Sequence, residues 1–349
     1  MWKRGERFAP ITIDMALTRA CQYSCGFCYA ILQENERKFM SRETIMQFLE
    51  DAAEVGVKGI SFVSDGESTM HPNFIEAVQH GHKHGLSMAV GSNGFALNEA
   101  KIRAILPSLI YFRFNFSGGT AAGYARIMGV KESSYHKVCE NVRTMMRVKK
   151  ELGLSTSIGL QFVVDPRYKD EVLPLAELAK NDLRPDYLIL KHCSDDENGS
   201  LGVNYSKYPD LYADFEKAES MSDETLQITV KWNKIKTGNV RTYEQCYGAP
   251  FLLQISGSGL IAPCGPLFNE RYKKFHMGNL SDMRFKDVVF SDQYWKVMSY
   301  LGSKDFNAKK MCGSLCLQDL TNRFLDGVKK GEIVGNQPAG ALPDHINFI

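Results

Sequence analysis

Apolar runs and amphipathic stretches alternate along the first part of the chain. Residues 11–17 (ITIDMAL), 59–63, 87–91, 109–116, 156–164 and 186–191 are short, β-rich apolar runs, and each predicts a strand. The stretch SRETIMQFLEDAAEVG between the first two has Ser41 and Glu43 at a helix start, apolar residues at helical spacing, and Gly56 as the stop. Pro72 opens a second predicted helix in PNFIEAVQHGHKHG, and further helices are predicted over 98–105, 133–152 and 169–180. Strands alternating with helices in this way predict βα units and a parallel sheet. In such sheets the loops at the C-terminal strand ends carry the chemistry.

The pattern changes after residue 195. A polar loop, SDDENGS, precedes a predicted helix at 208–220 and a strand at 226–231. The runs FLLQIS and LIAPC flank a GSG turn and predict a hairpin. Two longer helices are predicted at 281–300 and 308–327, and the tail ALPDHINFI, apolar at its end, is expected to pack. No internal repeat interrupts this order.

Composition bounds the function. The chain has 349 residues, 44% hydrophobic and 23% charged, enough for about two domains with a buried core. The net charge of +2 argues against a nucleic-acid partner bound by bulk charge. No apolar run has the length of about 18 residues that a membrane helix needs, and the N-terminus lacks the apolar core of a signal peptide. A cytoplasmic globular protein is the expectation.

The nine cysteines divide into Cys21, Cys25 and Cys28; Cys246, Cys264, Cys312 and Cys316; and the separate Cys139 and Cys193. Without an export signal, clustered cysteines point to metal or cluster ligands rather than disulfides. Three thiolates on one loop can hold three irons of a 4Fe–4S cluster and leave the fourth open. Structural zinc, which normally takes four closed ligands, and inert thiols are the alternatives.

CQYSCGFCYA, directly after a first strand, resembles the cluster loop of radical S-adenosylmethionine (SAM) enzymes, and the resemblance continues in order over residues 11–195. The family's Gly-Gly-Glu-Pro segment falls at Ser64–Ser68, with Gly66 and Glu67 kept and Asp65 and Ser68 replacing its first glycine and its proline. The resemblance gives Glu67 the methionine amine of SAM. GSNG, with Asn93, is similar to the third-strand segment, and RFNFSGGTAAGYARIMG to the fourth, which offers Arg113, Asn115 and Ser117 to the SAM ribose and carboxylate. The family chemistry is one-electron cleavage of SAM to a 5′-deoxyadenosyl radical that abstracts hydrogen from a substrate.

C-x12-G-x4-C from Cys246 through Gly259 to Cys264 resembles the opening of the auxiliary-cluster domain that follows many of these barrels, and Cys312 and Cys316 complete four thiolates. The full SPASM form carries more cysteines, so this chain resembles the shortened twitch form with one auxiliary 4Fe–4S cluster. A four-cysteine zinc site would hold the same hairpin.

The implied architecture is α/β: a partial (β/α)6 barrel at 8–200, then a twitch domain at 201–349. The implied cofactors are two 4Fe–4S clusters and SAM, with a reducing flavodoxin or ferredoxin as partner. The expected activity is oxidation of a small polar metabolite, a sugar or aminocyclitol alcohol, with the auxiliary cluster taking an electron. The short segment before the first strand is expected to leave no room for the N-terminal peptide-recognition module common in peptide-modifying relatives, which tilts the expectation to small molecules without settling it. Rival expectations are epimerisation, with Cys193 as hydrogen-atom donor, and modification of a ribosomal peptide. Lys191, His192, Asp195 and Asp196 crowd the end of the sixth strand, where a general base is needed. Gln161, Arg241 and Tyr243 are weaker pocket candidates, and Cys139 and Trp232 are expected in the core.

Overall fold

The fold is described from a computed structural model that defines residues 2–36, 38–237, 240–334 and 345–348. In chain order the elements are β1 (Thr12–Met15), α1 (Arg42–Glu54), β2 (Gly59–Phe62), α2 (Phe74–Lys83), β3 (Ser87–Ser92), α3 (Glu99–Ile105), β4 (Leu109–Asn115), α4 (Ala121–Met128), α5 (Glu132–Glu151), β5 (Ser157–Val164), α6 (Val172–Leu178) and β6 (Tyr187–His192). They continue with α7 (Tyr212–Glu219), β7 (Gln227–Val230), α8 (Trp232–Thr237), β8 (Leu252–Ile255), β9 (Leu260–Ala262), β10 (Gly278–Asn279), α9 (Phe285–Val289), α10 (Asp292–Leu301), α11 (Ala308–Met311) and α12 (Asp319–Lys330). The class is α/β with a parallel sheet, as the alternation predicts. Contacts divide the chain into two compact units: Met1–Ala20, Leu32–Ala89 and Val240–Ile349; and Cys21–Ile31 with Val90–Asn239. The chain passes from one to the other within β3.

In the first unit β1 pairs in parallel with β2 (Thr12 opposite Gly59) and with β8 (Thr12 opposite Leu252). The expected hairpin is present: β9 runs antiparallel to β8, and β10 to β9. Its turn closes through the Gly259 N–H on the Ser256 carbonyl at 2.8 Å, with Gly259 at φ 85°, a left-handed conformation that glycine adopts without strain. Asn347, near the end of the tail, accepts from Thr12 Oγ1 at 2.7 Å and donates to Ser87 Oγ at 2.9 Å. Residues 345–348 thus pack where β1 and β3 begin, while 341–344 and 349 lie outside the described residues.

In the second unit β4, β5, β6 and β7 are parallel neighbours, with Arg113 opposite Gly159 and Gly159 opposite Tyr187. Alternation sorts the faces. Phe112, Phe114, Leu188 and Leu190 are fully buried, while Tyr111, Arg113, Asn115, Tyr187, Ile189 and Lys191 line the other, half-exposed face. Gly159 is needed because a Cβ there would overlap the Tyr187 ring.

Several helices depart from the expected bounds. The helix expected to open at Pro72 begins at Phe74, because the first helical bond is the Ala77 N–H on the Asn73 carbonyl. The single helix expected at 169–180 is a 3₁₀ turn at Pro166–Glu171 followed by α6. The helix expected at 281–300 breaks where Ser291 caps α10. The one expected at 308–327 breaks into α11 and α12 around Cys312 and Cys316. α4 and α8, both short, lacked a strong sequence signal. Cys139 is buried on α5, as expected of a core residue, whereas Trp232, also expected in the core, packs edge-on against Tyr212 and Phe215 and is only half-buried.

Candidate functional site

The loop with Cys21, Cys25 and Cys28 belongs to the second unit and is held from below. Gly26 N–H donates to the Ile127 carbonyl at 3.0 Å, and Cys28 N–H to that of Cys25 at 3.0 Å. Gly129, which ends α4 at φ 64°, brings the chain so close to Ser24 that a Cβ would overlap its carbonyl. Tyr23 anchors the loop: its ring packs on Phe95 and Tyr124, and its hydroxyl lies 3.3 Å from the Tyr124 hydroxyl. Nothing in the cysteine spacing pointed to Tyr23 or α4. Cys21 Sγ accepts from Tyr23 N–H at 3.4 Å and lies 3.7 Å from Asn93 Nδ2, while Gln22 donates to Asn93 Oδ1 at 3.2 Å. Donors aimed at a sulfur suit a thiolate ligand, whose charge they stabilise. The loop therefore fits a cluster.

Further along this unit, Asn115 Oδ1 accepts from Gln161 Nε2 at 3.0 Å, and Arg113 stands two residues back on the same face of β4. Ser117 is fully buried and its hydroxyl accepts the Val163 N–H at 3.2 Å. Glu171, absent from the sequence reading, accepts from Gly119 N–H at 2.8 Å and Thr120 N–H at 2.9 Å. It thereby fixes the Gly-Gly turn and the start of α4. A carboxylate at that end is favoured by the helix dipole.

At the end of β6, Lys191 is half-buried on the Arg113 face. Burial, with Arg113, Lys234 and Lys231 adding positive charge, pulls its pKa down to about 7. Cys193 is buried, its N–H shared between the Val164 carbonyl at 2.9 Å and Tyr208 OH at 2.8 Å. Burial, then Asp165 and Asp195, push its thiol up to about 12, so it stays S–H. Asp195 accepts the N–H groups of Asp196, Leu201 and Val203 at 2.8, 2.9 and 3.2 Å, and Asp196 accepts those of Asn198 and Ser200 at 3.0 and 2.9 Å. Both carboxylates organise the polar loop. His192 is buried on the opposite face from Lys191.

In the first unit, Gly66 passes so close to Thr18 that a Cβ would overlap the Thr18 carbonyl. Glu67 N–H donates to the Ala20 carbonyl at 2.9 Å, and its buried carboxylate accepts from Thr69 N–H at 3.1 Å and Thr69 Oγ1 at 2.5 Å. Asp65 forms a buried ion pair with Arg19 at 3.1 Å and accepts from Ser256 Oγ at 2.5 Å and Gly257 N–H at 2.8 Å. Burial pushes its pKa up, and these three partners work against that. The aspartate thus ties the Gly66–Glu67 segment to the β8–β9 turn.

The same unit holds Cys246, Cys264, Cys312 and Cys316. Asn322 Nδ2 lies 3.5 Å from Cys246 Sγ, and Tyr243 OH lies 3.5 Å from Cys316 Sγ while donating to Asp319 at 2.9 Å. Gln318 clamps the hairpin by donating to the Leu252 and Pro263 carbonyls at 2.7 and 2.9 Å. Arg241 donates to the Cys312 carbonyl at 3.2 Å. Arg241 and Tyr243, expected as pocket residues, stand here as supports of the cysteine loop. Burial pushes the thiol of Cys246 up to about 12 and that of Cys264 well above the usual range, with Cys312 and Cys316 adding to both. Together they would ionise only around a cation, which fits a metal or cluster.

A parallel α/β fold with a C-x3-C-x2-C loop directly after its first strand defines a class, and residues 15–173 match the family model of the radical SAM superfamily. Over those residues the chain is similar to that superfamily. A tungsten-containing aldehyde ferredoxin oxidoreductase cofactor-modifying protein from Pyrococcus furiosus is 22% identical over 298 residues, 80% of this chain and 81% of that protein. A probable GTP 3′,8-cyclase from Saccharolobus islandicus is 24% identical over 173 residues, which are 48% of this chain and 53% of that one. The chain thus spans about half the length of such curated relatives. Among solved structures, Streptococcus suis SuiB bound to S-adenosylmethionine superposes with a TM-score of 0.66 at 14% identity, covering 92% of this chain and 74% of that one. Native anSMEcpe with bound AdoMet gives 0.61 at 12% identity, with 92% and 98% covered. These likenesses establish the fold. No helix among the described residues is long and apolar enough to cross a membrane.

Proposed function

We propose that the protein is a radical SAM oxidoreductase that removes hydrogen from an alcohol carbon of a small polar metabolite, such as a sugar or aminocyclitol. Cys21, Cys25 and Cys28 would hold the SAM-binding 4Fe–4S cluster, and Cys246, Cys264, Cys312 and Cys316 a second, fully ligated one. When bound, the first cluster and SAM supply a 5′-deoxyadenosyl radical by one-electron reduction of the sulfonium. Glu67, Asn93, Arg113 and Asn115 are the SAM contacts that the family resemblance implies, with Gly66 giving close approach and Ser117 securing the end of β4 to β5.

The observation that carries the oxidative reading is Lys191. Oxidation of an alcohol releases its hydroxyl proton, and a half-buried lysine with a pKa near 7 is matched to receiving it at neutral pH. Asp195 and Asp196 hold the adjoining loop rather than the proton. The four-thiolate site would keep the acceptor of the second electron, with the donor from Asn322 tuning it.

A second reading rests on Cys193, whose buried thiol stays protonated and so retains a hydrogen atom to donate. Cys193→Ala separates the two. Continued formation of the oxidised product supports the oxidoreductase, whereas loss of product with accumulation of a substrate radical supports an epimerase. The same turnover assay run with candidate peptides tests the peptide-modifying reading.

A further inference from the structure

Helices α1 and α2 bring three ligating side chains together on the surface of the first unit. Glu50 is exposed on α1, His80 lies in the last turn of α2, and His84 caps that helix. One donor atom from each falls within 4.8 Å of the other two. His80 Nε2 is 3.1 Å from Glu50 Oε1, and the two imidazole centroids are 4.3 Å apart. His84 Nδ1 lies 2.9 Å from the His80 carbonyl. A carbonyl only accepts, so Nδ1 carries the proton and Nε2 keeps its lone pair. Metal-bound imidazoles are commonly oriented in this way, one nitrogen donating to a carbonyl and the other ligating. The trio also sits at the C-terminal, negative end of α2, where a cation is favoured.

We propose that Glu50, His80 and His84 form a surface site for one divalent transition ion of the zinc class, with its remaining positions open to water. Two imidazoles and a carboxylate are zinc-type ligands, whereas calcium and magnesium prefer all-oxygen sets. Small rotamer changes bring the donors to bonding distance, because all three side chains are at the surface. The ion would clamp the end of α2 to α1. It is independent of both cysteine sites, so zinc found in the purified protein does not by itself report on the thiolates.

The test uses anaerobically purified, iron-loaded protein passed over a chelating resin and titrated with zinc chloride by calorimetry. The expected result is one zinc per chain, with a thermal midpoint that rises as zinc is added. The His80→Ala/His84→Ala variant should bind at least about tenfold more weakly, as should Glu50→Gln, which keeps a hydrogen-bonding side chain but not the charge. His82→Ala, in the same segment but outside the trio, should bind as the parent does, with iron content unchanged in all variants. Absence of binding to the parent protein overturns the proposal, and so does equal affinity and stoichiometry in the double variant.

Discussion

A lysine ammonium ordinarily keeps its proton far above neutrality, and Lys191 is held where it does not, with a pKa of about 7. If it is the base, only the neutral form works, so the rate should climb as pH rises through about 7 and then level off. Lys191→Met should lower turnover by about 10²–10⁴ and abolish that rise. A flat profile in the parent protein, or full activity in the variant, removes Lys191 from the reaction. The same shift has a stability signature. The unfolded chain binds this proton up to a pKa near 10.5 and the folded chain only to about 7. Between those values the unfolded state holds more protons, so the parent gains stability relative to Lys191→Met as pH rises, which denaturation at several pH values would measure. The sequence offered Lys191, Asp195 and Asp196 alike at the end of the sixth strand, with no means of ranking them. The structure adds that the loop's backbone N–H groups donate to both carboxylates.

At the scale of elements, two buried carboxylates position the loops. Asp65 stands where the family resemblance leads one to expect glycine, and its partners explain the change: Arg19 from the loop after β1, and Ser256 and Gly257 from the hairpin turn. Asp65→Ala leaves the Arg19 guanidinium buried without its counter-charge, a loss of about 3–5 kcal/mol expected in anaerobic denaturation. An unchanged midpoint would mean that water or rearrangement replaces the ion pair. Glu171→Ala uncovers the N–H groups of Gly119 and Thr120, at a cost of about 1–3 kcal/mol by the same measurement. The strands and the hairpin were readable because apolar runs between breakers report burial directly. Helix ends were less so. Ser291 and the pair Cys312 and Cys316 interrupt patterns that look continuous in hydrophobicity, and α4 is fixed by Thr120 and Glu171, a long-range contact with no local periodicity.

For the molecule as a whole, the cysteine spacings carried most of what the sequence says about chemistry. Their supports were not legible there: Tyr23 lies within the loop but is fixed by Phe95 and Tyr124, and Asn322 and Gln318 reach Cys246 and the hairpin from distant sequence, contacts that only folding assembles. If the four downstream cysteines hold an auxiliary cluster, Cys312→Ala/Cys316→Ala should reduce iron from about eight to about four per chain. That variant should still cleave SAM but fail to complete two-electron oxidation of the substrate. Zinc retained at the cysteines, with iron at about four in the parent protein, would instead favour a structural metal there. Everything else rests on Cys21, Cys25 and Cys28. The most direct test is anaerobic incubation of the reconstituted, reduced protein with SAM, following 5′-deoxyadenosine. The account predicts its formation by the parent protein and none by the variant with all three cysteines replaced by alanine. Parent protein that is fully iron-loaded yet yields no 5′-deoxyadenosine, or a triple variant that yields as much, would contradict it.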